Sequence, residues 1–121
     1  MLELISSPAS IDVPGGKTIE EFAGRVRTGD TNVSVARMFA PQGWEEPGQR
    51  PLFDEFTLVL EGTLRVESDD GATDVPAGQA IITRAGEWVR YSSPHAGGAR
   101  YVAVCVPAFS PDTVHRDPES E

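Results

Sequence analysis

The hydrophobic residues of this chain occur in short runs that glycine, proline and acidic residues interrupt every few positions. Alternating apolar and polar residues rich in valine are typical of strands rather than helices. The segments predicted as strands are residues 32–40, 53–66, 79–83, 87–91 and 100–106. Within residues 53–66, Glu61 and Gly62 predict a hairpin turn that would divide the segment in two. The whole pattern predicts a small β-sandwich or barrel.

The two ends of the chain carry weaker patterns. Residues 1–16 have apolar residues at alternate positions and end in a Pro-Gly-Gly turn, which predicts an edge strand or an arm. Residues 18–26 fit either of two elements: Thr18 can cap a short helix, but the same segment can also be a strand that runs into a turn. Residues 111–121 are polar, and we expect part of this segment to fold back onto the barrel.

Length and charge limit the classes of protein that this chain can represent. Its 121 residues support one domain with one core. Twelve glycines and ten prolines favour strands and turns over long helices. The net charge of −9 repels phosphate backbones and anionic membranes, so we expect neither nucleic acid nor a membrane as a partner.

The cellular location is predicted from cysteine content and from the first residues. The single cysteine, Cys105, cannot form a disulfide within the chain, which suits a reducing compartment. The first ten residues lack the basic and apolar regions of a secretory signal, and no run approaches the ~18 apolar residues of a membrane span. We therefore expect a cytoplasmic protein.

Two segments have the glycine spacing of a known pair of sequence motifs. The first, GWEEPGQRPLFDEFTLVLEG, runs from Gly43 to Gly62, and the second, GQAIITRAGEWVRYSS, runs from Gly78 to Ser93. They resemble the motifs G-x5-H-x-H-x3-E-x6-G and G-x5-P-x-G-x2-H-x3-N of the cupin superfamily. The resemblance implies an all-β, cupin-type double-stranded β-helix, which is a jelly-roll barrel of the RmlC-like type.

Most residues that bind a metal ion in this superfamily are replaced here. Where the family has three histidines and one glutamate, this sequence has Gln49, Pro51, Val89 and Glu55. An amide is a poor metal ligand, and proline and valine side chains offer none. We therefore expect no metal ion and no other cofactor, with a remodelled metal site as the alternative.

The resemblance also implies domain boundaries and a partner. It covers residues 30–110, which we expect to form the core of a single domain of residues 1–121. An N-terminal arm (1–29) and a C-terminal segment (111–121) would flank the core, with at most one short helix. Because small cupins commonly pair and an open sheet edge favours pairing, we expect a homodimer in which Leu2 and Leu4 extend the partner's sheet.

Two residues are predicted to be catalytic. Glu55, in its family position, would point into the barrel, where a carboxyl group without a metal ion is expected to have a raised pKa. Such a group suits general acid–base chemistry. The alternative is a structural ion pair with Arg37, which is otherwise a ligand-binding candidate. Tyr91 shares a strand face with Val89 and would assist proton transfer, or only pack in the core.

Four further residues are candidates for ligand binding. Trp44 would stack on a ligand at the lip of the pocket, or act as a hydrophobic lid, and Gln49 would offer its amide. Cys105 lies in the last apolar strand, where a buried cysteine is usually inert. His115 belongs to a His-Arg-Asp cluster that either folds over the barrel or forms surface ion pairs.

Three functional classes remain open on these observations. The first is a metal-independent enzyme, such as an isomerase, cyclase or epimerase, that acts on a small polar metabolite with Glu55 as acid and base. The second is a cupin that binds a small molecule without catalysis. The third is a metal-dependent, dioxygenase-like cupin with a remodelled site.

Overall fold

The computed structural model describes residues 1–117, which form nine strands and one short 3-10 helix. The strands are β1 (Ala9–Ile11), β2 (Thr18–Ala23), β3 (Ser34–Ala40), β4 (Trp44–Glu45), β5 (Asp54–Ser68), β6 (Gly71–Pro76), β7 (Ala80–Thr83), β8 (Arg90–Ser93) and β9 (Ala99–Val106). The 3-10 helix covers Pro111–Thr113. Within residues 1–117, no helix has the length and apolar character needed to cross a membrane. The prediction of an all-β protein with at most one short helix is confirmed.

The strands form one antiparallel sheet that curls around a core. Their order is β1-β2-β3-β9-β5-β8-β4, and β6 and β7 also pair with β5. The first part of β5 pairs with β7 and β9, whereas residues 63–68 pair with β6, and residues 65–67 also pair with β8. β5 therefore passes from one half of the barrel to the other and carries residues of both.

The core consists of alternate residues of the long strands. In β9, Ala99, Tyr101, Ala103 and Cys105 are buried, while the residues between them are more exposed. This alternation follows from the two-residue period of a strand, which directs successive side chains to opposite faces. One end of the barrel is filled by an apolar cluster that includes Val59, Leu64, Val66, Val75 and Val89.

The hairpin predicted at Glu61 and Gly62 is wrong, because β5 continues through these residues as one strand of 15 residues. The pairing with β9 shifts register between Val59 and Glu61, which marks a bulge. Gly62 has a φ of 75°, and a side chain there would meet the backbone of Gly98. Gly62, which resembles a turn signal in the sequence, therefore allows β5 to bend and to pass close to the backbone of Gly98.

Residues 18–26 do not form a helix, so the helical interpretation is wrong and the strand alternative is confirmed for residues 18–23. β2 pairs with β1 on one side and with β3 on the other. Ile19 and Glu21 point inward, and the Glu21 carboxylate accepts hydrogen bonds from the backbone N–H groups of Val26 and Arg27, each at 2.9 Å. Sheet pairing on both sides outweighs the local helical pattern.

Both ends of the described chain approach the barrel more closely than the predicted boundaries imply. β1 and β2 are part of the sheet, so only the residues before β1 extend outside it, and Leu2 and Leu4 there are exposed. Near the other end, Val114 is buried against Phe53 and Cys105. The last four residues of the predicted C-terminal segment lie outside the described residues.

Candidate functional site

A pocket of about 40 Å³ lies inside one end of the barrel. We call it the inner pocket; its polar lining residues are Lys17, Glu46, Gln49, Glu55, Tyr91, Tyr101, Cys105 and Arg116. An outer pocket of about 120 Å³ shares Lys17, Glu46 and Arg116 with it and is also lined by Trp44. The two pockets form one binding region, in which three carboxyl groups (Glu45, Glu46 and Glu55) and two cationic side chains come together.

Glu55 projects into the inner pocket from the start of β5. Its carboxylate accepts hydrogen bonds from the Thr57 hydroxyl at 3.2 Å and from the Cys105 thiol at 3.6 Å. Burial raises the pKa of the Glu55 carboxyl, and the Lys17 ammonium with these two hydrogen bonds offsets only part of the rise. Glu55 is therefore easier to protonate than an exposed glutamate.

Lys17 enters the same pocket from the turn that precedes β2. Its Nζ lies 4.5 Å from the centroid of the Trp44 ring and 5.5 Å from that of Tyr101. Burial by itself would lower the pKa of the Lys17 ammonium, but Tyr101, Glu46 and Glu55 together outweigh it and leave the pKa raised. The side chain thus stays a cation, held beside two aromatic faces.

Glu46 is the second carboxyl group of the region and lines both pockets. Burial raises its pKa, the Lys17 ammonium lowers it in part, and the nearby Glu55 raises it further. Two carboxyl groups that share one ammonium do not both ionise freely, since like charges at short range oppose each other. The arrangement favours holding a proton within the site.

The two tyrosines of the chain both reach the inner pocket. The Tyr91 hydroxyl lies 2.9 Å from the Thr83 hydroxyl, which fixes its position. Within residues 1–117, the Tyr101 hydroxyl and the Gln49 Oε1 are buried without a hydrogen-bond partner. Burial raises the pKa of both phenols, so both remain protonated donors at neutral pH.

The structure brings most of the predicted site residues together. Glu55, Tyr91, Gln49 and Cys105 all line the inner pocket. Trp44 lies in β4 and is 5% exposed, so it forms a buried wall of the outer pocket rather than a mobile lip. Burial raises the pKa of the Cys105 thiol far above its usual range, which makes it a poor nucleophile.

The other two predicted site residues are placed elsewhere, and these predictions are corrected. Arg37 lies on the outer face of β3, where its guanidinium pairs with Glu20 at 2.9 Å, so it is not the partner of Glu55. β3 directs alternate residues outward, and Arg37 falls on the outward phase. His115 is exposed and does not line the inner pocket; it lines an adjoining surface cavity of about 360 Å³, which shares Arg116 with both pockets.

The residues at the family's ligand positions do not fit a metal ion. Gln49 and Val89 still face each other, because their backbone groups exchange two hydrogen bonds of 2.9 Å. The frame of the site is therefore kept, but Val89 packs in the apolar core, and Pro51 has no donor atom to offer. No group of three histidine, cysteine, aspartate or glutamate side chains in residues 1–117 is arranged to hold a metal ion.

Four site residues escaped sequence reasoning: Lys17, Glu46, Tyr101 and Arg116. Lys17 follows two glycines, and the resulting resemblance to the end of a phosphate-binding loop is discarded because the upstream glycine is absent. One signal was nevertheless available, since Lys17 is the only lysine in 121 residues. Tyr101 lies in a strand that the sequence predicts, and Glu46 lies within the first motif, but neither position is one of the family's ligand positions; the placement of Arg116 depends on how the C-terminal segment packs.

Comparison with known proteins relates this chain to a family. Residues 38–105, more than half of the chain, match the family described as Cupin domain. A curated protein of Myxococcus xanthus named Endoribonuclease YbeY is 42% identical over 102 residues, which are 84% of this chain. The chain spans 35% of that protein's length, and the name refers to the longer protein as a whole.

Several solved structures share the fold at low sequence identity. Polyketide cyclase RemF from Streptomyces resistomycificus has a TM-score of 0.77 at 18% identity, over 100% of this chain and 89% of that chain. An RmlC-like cupin from Shewanella frigidimarina has a TM-score of 0.74 at 14% identity, over 92% and 94%. A variant of oxalate decarboxylase from Bacillus subtilis has a TM-score of 0.76 at 17% identity, over 93% of this chain and 31% of that chain. These likenesses confirm the predicted jelly-roll barrel and extend to the fold alone.

Proposed function

Since this chain belongs to the cupin family, we propose that its barrel binds a small polar metabolite and that Glu55 moves a proton on it without a metal ion. The observation that carries the proposal is the position of Glu55 in a small pocket that combines apolar walls with several polar side chains, with a raised pKa and the Lys17 ammonium nearby. A carboxyl group whose pKa moves toward neutrality both accepts and returns a proton efficiently. The reaction class is that of an isomerase, epimerase or cyclase.

In the proposed step, the Glu55 carboxylate takes a proton from a carbon atom next to a carbonyl group of the ligand. The C–H bond breaks, an O–H bond forms on Glu55, and the electron pair moves to the carbonyl oxygen. Return of the proton from Glu55 to a neighbouring carbon completes an isomerisation, whereas an epimerisation needs a second group, for which the Tyr91 phenol is the candidate, to give a proton to the opposite face. Attack of the carbanion on a second carbonyl group of the ligand would instead close a ring. None of these routes needs an oxidant or a reductant.

Tyr91 supports this step as a hydrogen-bond donor. Its phenol is held by Thr83 and keeps its proton at neutral pH, so it can donate to a developing negative charge. Cys105 donates its thiol hydrogen to Glu55 and thereby orients the carboxylate. We assign Cys105 a positioning role rather than a nucleophilic one.

The names of the similar proteins favour this class unevenly. RemF is named a polyketide cyclase, and cyclisation through a carbanion falls within the proposed chemistry. The relative from Myxococcus xanthus is named an endoribonuclease, but a net charge of −9 opposes binding of RNA by this chain. A non-catalytic binding cupin is the second candidate, and it is favoured by the small size of the inner pocket.

The proposal is tested by metal analysis and a ligand screen on untagged protein purified without chelator. We expect far less than one metal ion per chain by elemental analysis, and a thermal shift with a small hydroxy or oxo acid. In deuterium oxide, the bound compound should exchange a carbon-bound hydrogen, as followed by proton NMR. Stoichiometric metal would overturn the metal-free mechanism, and binding without exchange would favour the non-catalytic cupin.

We also propose that two copies of the chain pair through the outer face of the sheet. Phe56, Leu58 and Leu60 point outward from β5 and are 36–48% exposed, and Phe56 pairs with the exposed Ile82 of β7. An apolar face of this kind is costly to leave in water. Light scattering should give the mass of a dimer, which Leu58→Glu should convert to a monomer. Val26→Glu, at an exposed apolar residue elsewhere, should remain dimeric.

A further inference from the structure

We infer that Lys17 supplies, as an ammonium group, the positive charge that this family obtains from a metal ion, and that it binds a short carboxylate with a hydroxyl or N–H group on the neighbouring carbon. This inference rests on the proposed function, because it concerns the same pocket, and it names the class of ligand. Three observations carry it: the position of Lys17, two buried polar atoms without partners, and the size of the pocket.

The position of Lys17 is unusual for a lysine. It is the only lysine of the chain, and it is half-buried in the lining of both pockets, although a net charge of −9 leaves many exposed carboxylates to pair with. None of the six ion pairs found in residues 1–117 involves Lys17. Its ammonium group is therefore balanced at longer range and is available to an incoming anion.

Two buried polar atoms define what else the ligand must offer. Gln49 is 5% exposed and Tyr101 is 1% exposed, and both line the inner pocket. Within the described residues, the Gln49 Oε1 has no hydrogen-bond partner, and the Tyr101 hydroxyl has none of standard geometry, although the Lys17 ammonium lies close enough to its oxygen for each group to shift the other's pKa. Buried groups in this state are destabilising, and a ligand that satisfies them gains affinity. Gln49 requires a donor from the ligand, and the Tyr101 hydroxyl offers a hydrogen to an oxygen.

Size and charge complete the description of the ligand. The inner pocket, which holds Gln49 and Tyr101, has about 40 Å³, and the outer pocket has about 120 Å³, so the space next to Lys17 suits a group of a few heavy atoms. Arg116 lines both pockets and adds a second positive charge at the entrance. A short carboxylate with an adjacent donor matches the Lys17 ammonium, the Gln49 oxygen and the Tyr101 hydroxyl together.

The role of Lys17 also agrees with the proposed proton transfer. When Glu55 removes a proton from the carbon beside the carboxylate, negative charge grows on the carboxylate oxygens. An ammonium group fixed next to these oxygens stabilises that charge more than it stabilises the ground state. A lysine can thus perform the electrostatic part of a metal ion's work, although it does not supply open coordination positions.

The test uses the single lysine as a reporter. Protein labelled with ¹³C-lysine should give one Cε resonance from Lys17, which is followed while oxamate, glycolate or acetate is added. Oxamate and glycolate carry the adjacent donor, whereas acetate lacks it. We expect a saturable shift with oxamate and glycolate, and at least 10-fold weaker binding of acetate.

Three variants and one control separate the effect of the charge from that of the donor contact. Lys17→Met should weaken oxamate binding 10-fold to 100-fold, as measured by calorimetry. Lys17→Arg keeps the charge and should retain part of the affinity for oxamate. Gln49→Leu should weaken oxamate but leave acetate nearly unchanged. Arg37→Met is the control, because Arg37 is a cationic residue on the outer face of the sheet. This variant should bind oxamate with the same affinity as the unmodified protein.

The outcomes distinguish this inference from the proposed function. An unmoved Lys17 resonance, or equal oxamate binding by Lys17→Met, overturns the inference. The proposed function survives that result if another small metabolite binds and exchanges hydrogen in a manner that needs Glu55. Failure of every small metabolite to bind overturns both. Because the resonance is measured on the unmodified protein, poor folding of a variant does not leave the inference untested.

Discussion

Glu55→Gln is expected to lower the rate of hydrogen exchange into the bound ligand by about 10²–10⁴-fold. The substitution keeps the shape and the polar character of the side chain but removes its ability to accept and return a proton. Ligand binding should change much less than exchange, because Lys17, Gln49 and the tyrosines remain in the pocket. Exchange is measured by proton NMR in deuterium oxide and affinity by calorimetry.

The same variant should be more stable than the unmodified protein near neutral pH, by about 0.5–2 kcal/mol. Burial raises the pKa of Glu55 above its ordinary value of 4.5, so in the pH range between 4.5 and the folded-state pKa the folded state holds a proton that the unfolded state has released. Stability from this group is therefore greatest below pH 4.5 and decreases as the pH rises through the folded-state pKa. The pKa of Glu46 is also raised, so Glu46 likewise lowers the free energy of unfolding as the pH rises.

Melting temperatures between pH 4 and pH 8 test this expectation. The curve of Glu55→Gln should fall less with rising pH than that of the unmodified protein. Glu61→Gln is the matched control, since Glu61 lies on the same strand but is 72% exposed at its side chain, where it pairs with Arg100. Full hydrogen-exchange activity in Glu55→Gln would contradict the acid–base role of Glu55. A melting curve against pH that runs parallel to that of the unmodified protein would contradict the effect of burial on its pKa.

Gly62→Ala is expected to destabilise the fold by about 2–5 kcal/mol. Gly62 has a φ of 75°, a conformation that costs an alanine about 1–2 kcal/mol. A methyl group there would also collide with the carbonyl oxygen of Gly98, where β5 passes closest to the start of β9. Because a methyl group would meet only backbone atoms of Gly98 and Ala99, the strands cannot move apart there without losing hydrogen bonds of the sheet.

Gly78→Ala separates the two contributions to this effect. Gly78 has a φ of 86°, so it shares the conformational cost, but a methyl group there meets nothing within 4 Å. We expect a loss of about 1–2 kcal/mol for Gly78→Ala and a clearly larger one for Gly62→Ala, measured by urea denaturation. Equal losses would show that the close approach of the two strands at Gly62 does not determine stability.

Glycine spacing and strand alternation were sufficient to predict the fold. Gly43, Gly62, Gly78 and Gly86 all have positive φ, so their spacing records backbone requirements that other residues meet only at a cost. The inward phase of β9 and the position of Glu55 follow from the two-residue period of a strand. These features are local, and local features are readable in a sequence.

Where the local sequence fits two interpretations, the neighbouring strands determine which structure forms. The segment 18–23 has helical spacing, yet it lies between β1 and β3 and pairs with both. Arg37 was a reasonable partner for Glu55, but its strand phase turns it outward to Glu20. Side-chain direction and pairing depend on register, which short-range patterns do not specify.

The sequence by itself determined the fold family, the loss of the metal ligands and the place of Glu55, because each depends on residue type at fixed spacing. Only the tertiary structure decided what surrounds that carboxyl group. Lys17, Glu46 and Tyr101 come from three distant segments and meet Glu55 in one pocket. Burial and the charges of these neighbours set its pKa, and both arise only when the barrel closes.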